Sequence, residues 1–93
     1  MTATYQLFFG RNIPTGGYVT DEMFAEFLTT VDTIVDGYTI MEADGVWKGE
    51  HEDCKVMYLC SEPAKAYEIA RLYRDTFEQD AVGVITLPTM EFV

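Results

Sequence analysis

Basic residues are scarce in this 93-residue chain: six lysines and arginines stand against sixteen aspartates and glutamates, a formal net charge of −10. A field of that sign repels phosphate backbones and anionic membranes, so direct nucleic-acid binding and membrane association are not expected. Histidine occurs once. No Ser-His-Asp order, Walker loop or repeated Cys-x-x-Cys is present, so catalysis would need residues that only the fold brings together, and no cofactor is expected. Glu50-His51-Glu52-Asp53-Cys54 holds metal-compatible side chains, but neighbours in a turn rarely converge on one ion. Cys54 and Cys60 fall in one predicted strand, about 20 Å apart at ~3.3 Å per residue, too far to bridge. No apolar run approaches the roughly 20 residues of a spanning helix, and no charged-then-apolar leader opens the chain; a reducing cytoplasm is the expected setting.

What is present is apolar and aromatic side chain, at 48% and 14% of residues, enough to exclude a disordered tail. The length suits a single α+β domain over residues 1–93. A domain this small buries only about 60–70% of its unfolded surface, so self-association as a homodimer or higher oligomer is expected.

Residues Thr4 to Phe9 are β-branched and aromatic and predict a first strand, apolar on both faces. Gly10 to Tyr18, with three glycines and Pro14, predicts an irregular loop. Thr20 caps a helix carrying Met23, Phe24, Phe27, Leu28, Val31, Ile34 and Val35 on one face, with Gly37 as a left-handed stop. Tyr38 to Trp47 predicts a second strand, interrupted at Asp44-Gly45 by either a bulge or a tight turn. A polar turn over Lys48 to Asp53 leads to a third strand, Lys55 to Cys60, completing a hairpin. Ser61 caps a second helix with Pro63 in its first turn, running to about Gln79, and Ala81 to Leu87 forms a fourth strand that Met90 to Val93 extends. The order predicts a ferredoxin-like βαββαβ sandwich, a four-stranded antiparallel sheet with both helices on one face. The other face would then expose apolar side chains for a partner copy or a ligand.

The segments Phe9-Gly10-Arg11, Pro14 with Gly16-Gly17 and Val19-Thr20-Asp21, Phe24, Phe27-Leu28, Val35-Asp36-Gly37-Tyr38-Thr39, Gly45-x-Trp47 and Lys55-Val56 together resemble a family of small prokaryotic proteins known as domain of unknown function 3574. The resemblance spans most of the chain and implies a fold of the βαββαβ type without implying an activity. Relatives often carry a leader and a longer hairpin. Against them this chain reads as a trimmed cytoplasmic version, with a phage or other mobile element as the expected origin.

Arg11 beside Thr15-Gly16-Gly17 is the sequence's best ligand candidate, because glycines let backbone amides converge on an anion and a guanidinium adds a forked contact. Asn12 and Tyr18 flank that loop, and the acids Asp21 and Glu22 in the adjoining helix turn oppose an anion there. Trp47, with Tyr18 and Tyr38, is either a stacking surface for a flat ring or, more commonly, a core or dimer-interface tryptophan. Arg71 and Arg74 share a flank with Tyr67, and serve either an anionic ligand or pairs with Glu68, Asp75 and Glu78. The expected function is therefore a non-enzymatic homo-oligomer that binds a small anionic, nucleotide-like molecule through these residues, in a phage setting a sequestered host signal in an anti-defence role. The alternative is an acidic inhibitor, or mimic of nucleic-acid charge, acting on a basic host protein. A small dimeric α+β barrel enzyme ranks third and rests on fold analogy.

Overall fold

The two-residue period of the first strand, β1 (Ala3–Gly10), sends Tyr5, Leu7 and Phe9 to one side and Thr4, Gln6 and Phe8 to the other. In the computed structural model, which describes all residues from Met1 to Val93, β1 lies in the interior of a four-stranded sheet. The elements follow as α1 (Asp21–Val31), β2 (Thr39–Trp47), β3 (Glu50–Ser61), α2 (Pro63–Thr76) and β4 (Gly83–Leu87). Strand order is β2-β3-β1-β4 and every pairing is antiparallel, which is the ferredoxin-like sandwich expected.

Register decides the two faces. Leu7 opposes Met57 and Tyr5 opposes Leu59, and this side packs against Phe24, Phe27 and Val31 of α1 and Ala66, Ile69 and Tyr73 of α2. Phe9 is the centre of an aromatic cluster, its ring centroid 4.4 Å from Tyr73, 5.4 Å from Phe27 and 6.0 Å from Phe24. The Tyr73 hydroxyl, buried with its ring, donates to the Gly10 carbonyl at 2.6 Å, so the polar tip costs little to bury. On the uncovered face lie Thr4, Gln6 and Phe8 of β1, Met41 and Ala43 of β2, Cys54, Val56, Tyr58 and Cys60 of β3, and Ile85 and Leu87 of β4.

Several element boundaries differ from expectation. Thr20 caps α1 as predicted, its hydroxyl accepting from the Met23 amide at 3.2 Å. The helix ends at Val31, however, and Gly37 is not left-handed. The amides of Thr33 and Ile34 reach back three residues to Thr30 and Val31, tightening the last turn and making a glycine stop unnecessary. Ser61 does not cap α2: it closes β3 and its hydroxyl donates to the Glu62 carbonyl, while Glu62 occupies the cap position without a side-chain bond. The end of α2 falls at Thr76, three residues before Gln79, where Glu78 adopts φ 51° and the Gln79 amide donates to Arg74, the 6→1 closure usually reserved for glycine.

β2 runs unbroken through Asp44 and Gly45, which pair with Asp53 and Glu52. The turn is only Lys48-Gly49, with φ 51° and 81°, the pattern of a two-residue type I′ turn. That turn sets the register from its first pair, Trp47 with Glu50, so the polar Glu50–Asp53 stretch is ladder and not loop. β4 begins at Gly83, and Met90–Val93 adds no strand.

Candidate functional site

The β2–β3 hairpin runs past the end of β1 and is tied back at its tip. Lys48 Nζ lies 3.1 Å from Asp80 Oδ2, in the connection between α2 and β4. Between the arm and that connection is a cavity of about 590 Å³, within the range of small-molecule sites. Phe8 and Gly10 of β1 and Cys54 of β3 form its floor, Gly45 to Lys48 one wall, and Gln79 to Gly83 the other.

Charge in this cavity is mostly negative. Glu50 and Glu52 project from alternate positions of β3 on the same side, Asp80 sits opposite, and the one cation of the lining, Lys48, is already paired. Glu52 reaches over Gly10 and accepts from the Asn12 amide at 3.0 Å; a Cβ on residue 10 would lie 2.5 Å from that carboxylate and displace it. Asn12 is also held by its carbonyl, which accepts from Gln79 Nε2 at 3.0 Å. Burial, then the charge on Glu52, pushes the Cys54 thiol up, so it sits in the cavity as a neutral group and not as a thiolate nucleophile. His51 and Asp53 alternate to the opposite side of the strand, and no three His, Cys, Asp or Glu side chains converge as a metal site.

Of the residues expected to bind, Asn12 and Trp47 line this cavity. Arg11 does not. It is 7% exposed, its Nε donates to the Val19 carbonyl at 2.8 Å, its terminal nitrogen pairs with Asp21 at 2.9 Å, and its guanidinium lies 4.6 Å from the centroid of the Tyr18 ring. Asp21 therefore holds the position an anionic ligand would need. Thr15, Gly16 and Gly17 form an exposed turn whose Gly16 amide donates to the Ile13 carbonyl at 2.8 Å, while Gly17 O accepts from Ile13 at 3.1 Å. Tyr18 donates to Asp53 at 3.0 Å. Arg71 and Arg74 are exposed on α2, and Arg74 is paired with its neighbour Asp75 at 2.9 Å. Tyr38 precedes β2 and Trp47 ends it, about 30 Å apart at ~3.3 Å per residue, so they cannot stack on one ring.

Phe8, Gln79 and Asp80 were not anticipated, and Glu50 and Glu52 only as metal-compatible side chains. The available signal was the alternation of Glu50, Glu52 and Cys54, which becomes meaningful once β3 is known to start at Glu50.

The family of proteins described as of unknown function (DUF3574) matches residues 4–92. The chain belongs to that family. Among curated proteins none matches it. Among solved structures, CutA1 from Oryza sativa superposes with a TM-score of 0.63 at 12% identity, over 99% of this chain and 83% of that one. At such identity the likeness is one of fold. No helix of this DUF3574 member is long and apolar enough to cross a membrane.

The tip of the hairpin is the adjustable part of the site. Hydrogen bonding from Lys48 first, its charge next and Trp47 last hold the Asp80 carboxyl below the ordinary aspartate range. A lowered folded value means that the tie is complete above the unfolded aspartate value and is lost as pH falls through the folded one. Acidification below about pH 4 is therefore expected to free the tip and red-shift Trp47 emission while far-ultraviolet circular dichroism is unchanged. Emission constant across that interval would refute it.

Proposed function

We propose that this protein is a non-enzymatic, self-associating binder of a small flat molecule that carries positive charge or several hydrogen-bond donors, held in the cavity beneath the β2–β3 hairpin. One observation carries the reading: two aromatic side chains, Trp47 near the hairpin tip and Phe8 at the floor, share that cavity with the carboxylates of Glu50, Glu52 and Asp80. Aromatic faces attract cations and stack on flat rings, and carboxylates accept from the same ligand's edge. An anionic, nucleotide-like ligand would meet the same carboxylates as repulsion, with Arg11 already committed to Val19 and Asp21.

The test is a pair of nuclear magnetic resonance titrations with benzamidine, a flat cation, and adenosine monophosphate, a flat anion. Benzamidine is expected to shift the Trp47 indole and the Asn12 amide, and Glu50→Gln to weaken it by about tenfold, the equivalent of one lost charge-assisted contact. Shifts induced by the nucleotide alone would restore the anionic reading. A second reading, an acidic inhibitor of a basic protein, draws on α1, where Glu22 and Glu26 have no ion-pair partner and the last turn carries no basic residue. It requires partner capture that weakens steeply with salt.

A further inference from the structure

We propose that a second copy of this chain covers the uncharged face of the sheet and, in doing so, roofs the open side of the cavity. The pairing of faces stands on its own; the roofing rests on the binding function proposed above.

Charged residues make up 24% of the chain, yet the uncovered face from Cys54 to Cys60 and across the neighbouring strands carries none. Lys55 and Glu42 lie in the same strands but alternate to the helix side, where they pair at 2.7 Å. Two chains of net charge −10 repel each other, and pairing through this face keeps every carboxylate out of the contact except Glu50, Glu52 and Asp80 at its cavity end. A basic partner, by contrast, would be steered to the acidic helix side and gains nothing electrostatically here.

Met41, Trp47, Ile85 and Leu87 are 52%, 51%, 44% and 37% exposed on one surface. Four strands at ~4.8 Å spacing and about eight residues at ~3.3 Å give a face of roughly 19 by 26 Å, about 500 Å² in projection and more along its side chains. That approaches the ~800 Å² per partner of a standard interface. Two of its polar side chains already bond each other, Gln6 Nε2 donating to the Tyr58 hydroxyl at 2.8 Å, whereas Thr4 Oγ1 on the same face is buried without a partner. A two-fold contact requires only that this one patch meet its own copy. Phe8, Cys54 and Trp47 belong both to this face and to the cavity, so a sheet laid over the one encloses the other.

Sedimentation velocity on the wild-type chain, Met41→Glu, Ile85→Glu and a control, Thr30→Glu on exposed α1, tests the pairing, with circular dichroism checking that each is folded. Wild type and Thr30→Glu are expected at twice the 10.6 kDa chain mass, and both face variants at the single mass. A wild-type monomer, a mass pointing to some other occupant, or face variants that remain dimeric would overturn it. Benzamidine titrations of the same proteins separate the two claims. Affinity in the folded monomeric variants is expected to fall by about tenfold as one wall is lost. Unchanged affinity overturns the roofing alone, and no binding to a wild-type dimer overturns the ligand reading while leaving the paired faces in place.

Discussion

Replacing Phe9 with alanine is expected to cost about 3–5 kcal/mol, a large share of the ~5–15 kcal/mol that stabilises a domain, and to leave the chain partly unfolded at 37 °C. Phe9 has no exposed surface and touches both helices through Phe24, Phe27 and Tyr73. It pairs with Lys55 of β3 one residue beyond the end of the β1–β4 ladder, so the backbone is held in place and collapse would have to come mainly from the helices. Displacing Tyr73 would in turn break its 2.6 Å bond to Gly10, beside the cavity floor. Chemical denaturation followed by circular dichroism checks this, and a loss below about 1.5 kcal/mol would mean that the helices repack freely.

Arg11→Ala is expected to lower stability by about 2–4 kcal/mol, with affinity for benzamidine unchanged in the folded fraction. The buried Nε–H bond to the Val19 carbonyl accounts for most of this, since removing the donor leaves a buried oxygen unpaired. The ion pair adds less, because Asp21 is 78% exposed and screened by water. Arg11→Lys retains charge but lacks the planar fork that serves Val19 and Asp21 together, and should recover only part of the loss. The opposite pattern, full stability with lost ligand binding, would return Arg11 to the role that its sequence context suggested.

The comparison of Arg11 with Phe9 shows what a sequence can convey. The aromatic alternation of β1 and the 3.6-residue spacing of Phe24, Phe27 and Val31 are local signals of burial, and the order of elements constrained the sheet to one topology. The loop was misread because a glycine-rich segment beside an arginine has the same composition whether its amides point at a ligand or at each other. Only the distances from Arg11 to Val19 and from Gly16 to Ile13 separate the two. The cavity was invisible for a related reason. Its walls come from residues near positions 8, 47, 52 and 80, brought together by the hairpin's length, and that length was hidden by polar residues that looked like a turn. Gly37 and Ser61 were plausible caps whose work other backbone groups perform.

The position of β1 has a further consequence, for synthesis. An interior strand bonded to β3 on one side and β4 on the other finds its first partner some fifty residues downstream and its second nearly eighty downstream. Such distant pairing carries a high loop-closure cost and slows folding. While the chain is being made, the run Tyr5-Gln6-Leu7-Phe8-Phe9 emerges from the ribosome early, aromatic on both sides and without a ladder to join. The sheet cannot be completed until β4 has been translated. Completion of the sheet therefore waits on a distant strand, and until β4 emerges the nascent chain presents an apolar strand that invites chaperone capture.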